Sequence, residues 1–541
     1  MLRVGPEGRL KAGDLGPDMT TYDAIVVGAG HNGLAAAVHL AAKGWKVAVV
    51  EQAKEAGGAV KTREVTLPGF KHDLFATNLS MFAGSPFFAA YKDTLIENGL
   101  DLIGASDTFS SAFSDGTWLG VSTDLETTAK RIAALSARDA EAWRKMFADF
   151  AQDAPHIFAL LGAPMPSWAS AKALWRAYRA KGMAGVGELV RLVLSSPRDF
   201  LDAHFESEKL KVMMASWGMH LDFGPDVAGG ALFPYLESMA NQSFGMVLGK
   251  GGASTVIDAL VNTLTSLGGE VHLGRAVERI ETSGGRATSV RLSGGEVLSA
   301  KRAIVANVHP KLVFGRLLAA DSARAAFDAK IAGFRAGPGT MMIHLALSSL
   351  PDWKAGRRLK KFAYVHLAPS LEAMASAYTQ ACSGLLPREP VLVVGQPTAI
   401  DPSRAPEGRH VLWVQVRVLP AEIRGDAAGQ ITATRWDEAK ELYAARVLAL
   451  LEGYAPGLSG KILGGAVFSP LDIERENPNL IGGDSLSGSH HLDQNFVFRP
   501  VFGWSRYKTP VDGLYLCGAS TWPGAGVGAG SGFMVAKMLA G

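Results

Sequence analysis

Three glycines and one glutamate carry the strongest chemical signal in the chain. Gly28, Gly30 and Gly33 stand at the G-x-G-x-x-G spacing, and Glu51 follows at the tip of the next apolar run. The first glycine suits a tight turn. The second lets a pyrophosphate approach the backbone, and the third lets a helix pack closely on a strand. A carboxylate at position 51 is placed to accept hydrogen bonds from the ribose hydroxyls of an adenosine. No basic residue stands beside it, which favours an unphosphorylated ribose, so FAD or NAD ahead of NADP.

These residues need a strand, a turn, a helix and a second strand. Ala24 to Val27 is a short β-branched run that reads as a buried parallel strand. Leu34 to Lys43 is alanine-rich and ends at Gly44, so it reads as a helix with a glycine stop. No acid lies in its first turns, which leaves its partial positive charge free for a diphosphate. Trp45 to Val50 is the second strand. Gly57 and Gly58 then let the chain fold back over a nucleotide. Arg63, just beyond, reads either as a partner of phosphate or cofactor ring, or as a solvated arginine in a surface hairpin.

The chain has 541 residues, too many for one core. It is 48% hydrophobic and 19% charged, with a net charge of +3, and no lysine or arginine block stands out. Nucleic-acid binding is not expected. Cys382 and Cys517 are its two cysteines, far apart, which argues against a redox disulfide or a zinc site and fits a reducing, cytoplasmic compartment. Residues 1–20 are polar and glycine-rich without a signal-peptide core, so a flexible tail is expected, with the native start near Met19. The uncharged stretch Gly513 to Ala536 is broken by Pro523 and glycines, and reads as loop and helix start, not as a membrane span.

The expected fold class is α/β. A discontinuous Rossmann-like domain over residues 21–85, 247–318 and 473–541 carries an inserted α+β substrate domain. Residues 86–246 form its largely helical part, and 319–472 its part of sheet plus helices. Ser254 to Leu267 and Trp436 to Leu451 read as helices. Thr340 to Leu347, Val391 to Gly395 and His410 to Val418 read as strands. Within 164–198, Trp168, Trp175 and Tyr178 lie among Lys172, Arg176, Arg179, Lys181 and Arg191. That segment reads first as a solvated helical face, and second as a peripheral membrane contact or greasy substrate entrance.

Three separated blocks resemble one family. VVGAGHNGLAAAVHLAAKGWKVAVVE with Gly57 and Gly58, GGASTVIDALVNTLTSLGGEVHLGRAVERI, and RPVFGWSRYKTPVDGLYLCGASTWPGAGVGAGSG look like the phytoene-desaturase-related FAD oxidoreductases. AIDPSRAPEGRHVLWVQV and ERENPNLIGGD resemble the branch of that family named for a pyridine nucleotide-disulphide oxidoreductase domain. The resemblance implies an amine-oxidase-like architecture and an extended FAD. Gly28, Ala29, Gly30 and Gly33 would hold the diphosphate, and Glu51 the ribose, with His31, Asn32 and Gln52 alongside. Gly57 and Gly58 would follow the diphosphate, and Val277 would meet the adenine. Gly518 and Ala519 would meet the diphosphate and ribityl chain, although relatives often place an acid where Ala519 stands. Gly526, Val527 and Gly528 would lie at the pyrimidine edge of the flavin.

The implied activity is dehydrogenation, desaturation or oxidation. Hydride would leave a carbon–carbon bond of a hydrophobic, carotenoid- or lipid-like substrate for flavin N5, with reoxidation by oxygen or a quinone. No second dinucleotide motif follows a strand, and no metal is expected. A homo-oligomer is compatible with this reading. A catalytic base is sought in SGSHHLDQNF, at His490, His491 and Asp493, just before the closing glycine block. A surface histidine pair is the alternative. Arg499, Arg506 and Tyr507 are candidates to anchor a polar substrate end or, alternatively, packing residues. His220 and Asp222, with Trp217 and Phe223, are candidates to line a pocket. Other readings on the same scaffold are an amine or alcohol oxidase, a redox-neutral isomerase using reduced FAD, and an FAD-binding interaction protein without turnover.

Overall fold

A computed structural model describes residues 20–541. The tail expected over residues 1–20 lies, but for Thr20, outside the described residues. The opening β-α-β unit forms as its sequence dictates. Strand Thr21–Val27 pairs in parallel with Val47–Val50, and helix His31–Ala42 crosses between them. The alanines of that helix are buried against the sheet on one side and the closing helix Gly530–Ala540 on the other.

The parallel core of the first sheet comes from distant parts of the chain. Val297–Ala306 lies beside Thr21–Val27, and its other edge takes Leu514–Leu516. Glu270–His272 adds to Val47–Val50. All these pairings are parallel, so the loops at their carboxyl ends gather at one edge, where ligands bind in such sheets. An antiparallel hairpin of Val277–Ser283 and Arg286–Leu292 extends the sheet.

The second sheet runs Ile462–Phe468, Gly339–Leu347, His410–Leu419, Val391–Gly395, Tyr364–Leu367, Asp107–Ala112, Trp118–Ser122. Its last two strands belong to the segment expected to be largely helical, residues 86–246. The two excursions therefore share one sheet. One face buries Met341, Ile343, Leu412, Val414 and Val416 against helix Trp436–Tyr454, through Tyr443, Val447 and Leu451. Several residues of the opposite face, Met342, Tyr364 and Trp413, join the core beneath the helices Ala137–Leu161, Glu208–Met219 and Leu232–Phe244.

Helix Trp168–Leu194 is broken at Gly182, whose φ is 67°. It leaves Trp168, Trp175 and Met183 exposed. Among the described residues, no helix is long and apolar enough to cross a membrane.

Candidate active site

The glycine turn is built by close backbone approach. A Cβ on Gly33 would stand 2.3 Å from the Gly28 carbonyl oxygen, and one on Gly30 would stand 2.8 Å from Asn307 Nδ2. Gly28 itself has φ 96°, which side chains rarely adopt. The helix opens at His31 with no acid in its first turn. The Glu51 carboxylate accepts hydrogen bonds from the N–H groups of Ala29 (2.8 Å) and Ala53 (2.9 Å). Gly57 donates its N–H to the Ala29 carbonyl at 2.9 Å, which folds the second glycine pair over the first turn. Gly28, Gly30, Glu51, Gln52, Gly58 and Val277 line one cavity of about 190 Å³.

The closing glycine block completes the cradle. Gly518, at φ 104°, packs on Asn307 and donates its N–H to Ser531 Oγ at 2.8 Å. Ser531 Oγ in turn donates to Asn32 Oδ1 at 3.1 Å. His31 is half-buried, loss of hydration pushes its pKa down to about 4, and it hydrogen-bonds the backbone of Gly526. His31 and Asn32 thus join the first turn to the last. The Ala519 carbonyl accepts two hydrogen bonds from Arg499, at 2.7 and 3.0 Å. Gly526 and Val527 line a second, larger cavity of about 290 Å³, walled by Met81, Leu161, Leu232, Leu236, Met342 and Ile473. Gly58 borders the smaller cavity and Ala59 the larger, so one short stretch of chain touches both.

FAD fits these residues on three grounds. The glycine cradle leaves no room for a Cβ, the helix start carries no competing acid, and the neighbouring residues Gly58 and Ala59 border one cavity each. Ala29, Gly33, Gly57 and Gly528 are not among the lining residues of either cavity. The first three act through the backbone and packing contacts described above.

The sequence candidates for chemistry separate in space. His490 lines the larger cavity. Its Nε2 accepts the Ala525 N–H at 2.9 Å, so the ring proton sits on Nδ1. Burial, aided by the Arg499 charge, holds its pKa well below the ordinary value, so the ring is neutral. His491 turns away from that cavity. Its Nε2 lies 2.9 Å from the Asp222 carbonyl and 3.1 Å from the Tyr378 hydroxyl. Asp493 is a surface residue, paired with Arg335 at 2.7 Å. The turn is pinned by Gln494, whose side chain bridges the backbone of Arg335, and this sends the neighbours in different directions. The expectation of three adjacent catalytic groups therefore reduces to one cavity-facing residue, His490.

Arg63 also departs from its first reading. It forms ion pairs with Glu55 and Glu476, and Lys61 rather than Arg63 borders the nucleotide-side cavity. Arg499 is fully buried and caps carbonyls, including Ser489 (2.8 Å) and Gly488 (3.1 Å). Arg506 is exposed, and Tyr507 donates to the Trp522 carbonyl at 3.2 Å. His220 and Trp217 do line the larger cavity. Asp222 instead accepts from Ser489 and Tyr378, and burial pushes its carboxyl up to about 6 against the opposing pull of His491.

Several lining residues are not singled out by their sequence context. Asn307, at the end of strand Val297–Ala306, buttresses the glycine turn. Glu237 faces the larger cavity, and burial pushes its carboxyl up to about 7. Tyr364, Trp413, Gln415 and Arg417 come from the second sheet. The alternation within HVLWVQVRVL puts Trp413, Gln415 and Arg417 on one face, and it is the available signal.

Residues 33–356, more than half the chain, match the family model described as "Flavin containing amine oxidoreductase". The chain is 29% identical to the rat pyridine nucleotide-disulfide oxidoreductase domain-containing protein 2, over 96% of this chain and 93% of that protein. It is 28% identical to a limonene dehydrogenase polypeptide of Castellaniella defragrans, over 96% and 94%. It is 27% identical to the neurosporene-forming phytoene desaturase of Rhodobacter capsulatus, over 95% and 93%. The resemblance read from the three sequence blocks is borne out by these matches.

Proposed function

We propose that this chain, which belongs to the flavin containing amine oxidoreductase family, dehydrogenates a carbon–carbon bond of a hydrophobic substrate, the hydride and the proton lost from the two adjacent C–H bonds being taken up by FAD. It is an FAD-dependent oxidoreductase. The observation that carries the finer reading is the pair of cavities lined by the neighbouring residues Gly58 and Ala59, one bordered by the glycine turn and Glu51, the other mainly apolar. Two of its relatives are named for hydrocarbon substrates, limonene and phytoene, which supports a substrate of that character.

Bound FAD supplies the hydride acceptor, and the chain's own residues supply geometry. Glu51 and the turn at Gly28, Gly30 and Gly33 would hold the nucleotide half. The backbone at Gly526 and Val527 and the start of the closing helix would supply a positive field to stabilise negative charge on the reduced ring. The apolar wall excludes water from the reacting carbon. His490 acts as a positioning residue, because its acceptor nitrogen already holds the Ala525 N–H beside Gly526.

The test is anaerobic. FAD-loaded protein is mixed with terpenoid and fatty hydrocarbons, and the yellow absorbance is followed, then oxygen and a quinone are added separately. Bleaching by a hydrocarbon, with colour restored by either oxidant, is the expected result. Persistent colour with every hydrophobic compound, together with peroxide release from amines, would favour the amine-oxidase reading.

His490→Gln tests the positioning role. A lost general base costs about 10²–10⁴ in rate. Glutamine can still accept from Ala525, so less than about a tenfold loss in the bleaching rate is expected. An unchanged pH profile should accompany it. A loss of a thousandfold with a vanished pH limb would make His490 the base.

A further inference from the structure

The sheet-side end of the larger cavity holds an arginine whose donors are only partly used. Arg417 is 5% exposed and projects from strand His410–Leu419 on the same face as Trp413 and Gln415. A guanidinium has five N–H donors. Here one reaches the His220 carbonyl, another reaches Ser485 Oγ at 3.4 Å, and Nε has no partner. Among the described residues, no carboxylate forms an ion pair with it.

The other buried arginines differ. Arg404 pairs with Asp73, Arg324 with Asp328, and Arg499 caps a ring of carbonyls. Arg417 therefore stands out as a buried cation that has neither a carboxylate partner nor a ring of carbonyls around it. Such a group is costly to bury unless a ligand supplies the missing charge.

Its surroundings point the same way. Trp217 Nε1, Trp413 Nε1 and His220 Nε2 are buried without partners, and all three residues line this cavity. Burial lowers the Arg417 pKa to about 10, so it stays charged at neutral pH. Asp484 is the opposing charge that acts on it, from beyond ion-pair distance, and three backbone N–H groups already bind that carboxylate. The rest of the wall is mainly apolar, through Leu236, Met342, Ile473 and Leu480, and its polar members include Glu237 and Gln415.

We propose that the substrate is an amphipathic organic acid, its carboxylate held by Arg417 and its apolar body directed toward Gly526 and Val527. This rests on the oxidoreductase reading for the identity of the reacting end. The guanidinium fork matches a carboxylate in plane and spacing. The apolar wall then sets the body in one direction, so the site reads a head and a tail.

The test is calorimetric titration of the FAD-loaded protein with decanoate, methyl decanoate and 1-decanol. Charge-assisted hydrogen bonds predict that decanoate binds about tenfold to hundredfold more tightly than either neutral compound. Arg417→Met should abolish that preference while leaving the affinity for 1-decanol within about threefold. Arg417→Lys should keep part of it, and it serves if the methionine variant does not fold. Equal wild-type affinity for decanoate and its ester, or no binding of decanoate, overturns the proposal. So does an undiminished preference in a folded Arg417→Met protein. Bleaching by a hydrocarbon alongside such a result would leave the dehydrogenase reading intact. Failure to retain FAD would strike that reading instead.

Discussion

Replacing Asp73 with alanine is expected to destabilise the protein by about 3–5 kcal/mol, the usual consequence of leaving a buried charge without its partner. Asp73 and Arg404 are both buried, and their side chains form an ion pair. The Asp73 carboxylate also accepts from Thr62 (2.7 Å), Thr77 (2.6 Å) and the Ala253 N–H (2.7 Å), while Arg404 donates to the Gly249 carbonyl at 2.6 Å. Three distant stretches of chain, 62–77, 249–253 and the segment at Arg404, thus meet at one ion pair.

Removing both partners should hurt less than removing one, so Asp73→Ala combined with Arg404→Met should recover part of the loss. The pH dependence has a definite sign. Burial alone raises the Asp73 pKa, but the Arg404 charge and the hydrogen bonds outweigh it, and the folded value lies below the ordinary 3.8. The stabilisation is complete above the unfolded value and is lost as pH falls through the folded one. Urea midpoints of wild type and Asp73→Ala should therefore differ most above about pH 4 and converge below it. Equal midpoints at neutral pH would contradict the assignment.

The nucleotide half of this protein is legible in the sequence because its chemistry is local. Gly28, Gly30, Gly33 and Glu51 sit within one β-α-β unit, where strand and helix periods fix every neighbour. Val391–Gly395 reads with the bounds the structure gives it, since a fully buried strand is a plain apolar run. Strand Asp107–Ala112 escapes such a reading because most of its buried residues are polar. Thr108 and Ser110 are buried, and they hydrogen-bond the carbonyls of Val121 and Tyr364. Ser111 beside them is equally buried, so the stretch lacks the apolar run of a buried strand and falls within the segment expected to be largely helical. The substrate half depends on tertiary packing that no spacing encodes. His490 and His491 are adjacent, yet the grip of Gln494 on the Arg335 backbone decides which of them meets the cavity. Arg417 can be placed on a strand face from its spacing, but only the helices packed over that face show that its charge is left without a carboxylate.

Replacing Gly532 with alanine is expected to cost the protein its flavin. A Cβ at this position would stand 1.8 Å from the Asn32 carbonyl oxygen, on the facing turn of the opening helix. Contact at a normal separation requires the two helix backbones to part by roughly 1.5 Å. Overpacking of this kind costs about 1–3 kcal/mol, and more where the obstacle is backbone. The damage falls on the cradle itself. Ser531, the preceding residue, links Asn32 Oδ1 to the Gly518 N–H, and Gly518 packs on Asn307 beneath the glycine turn. Parting the helices would stretch that chain of contacts and move the Gly526 backbone away from His31. Flavin retention should fall at least about tenfold, with a thermal midpoint lowered by about 1–3 °C. Gly453→Ala is the matched control, because a Cβ there meets nothing within 4 Å and alanine favours the helix. A Gly532→Ala protein that keeps its yellow colour through gel filtration as the control does would show that the closing helix does not fix the cradle.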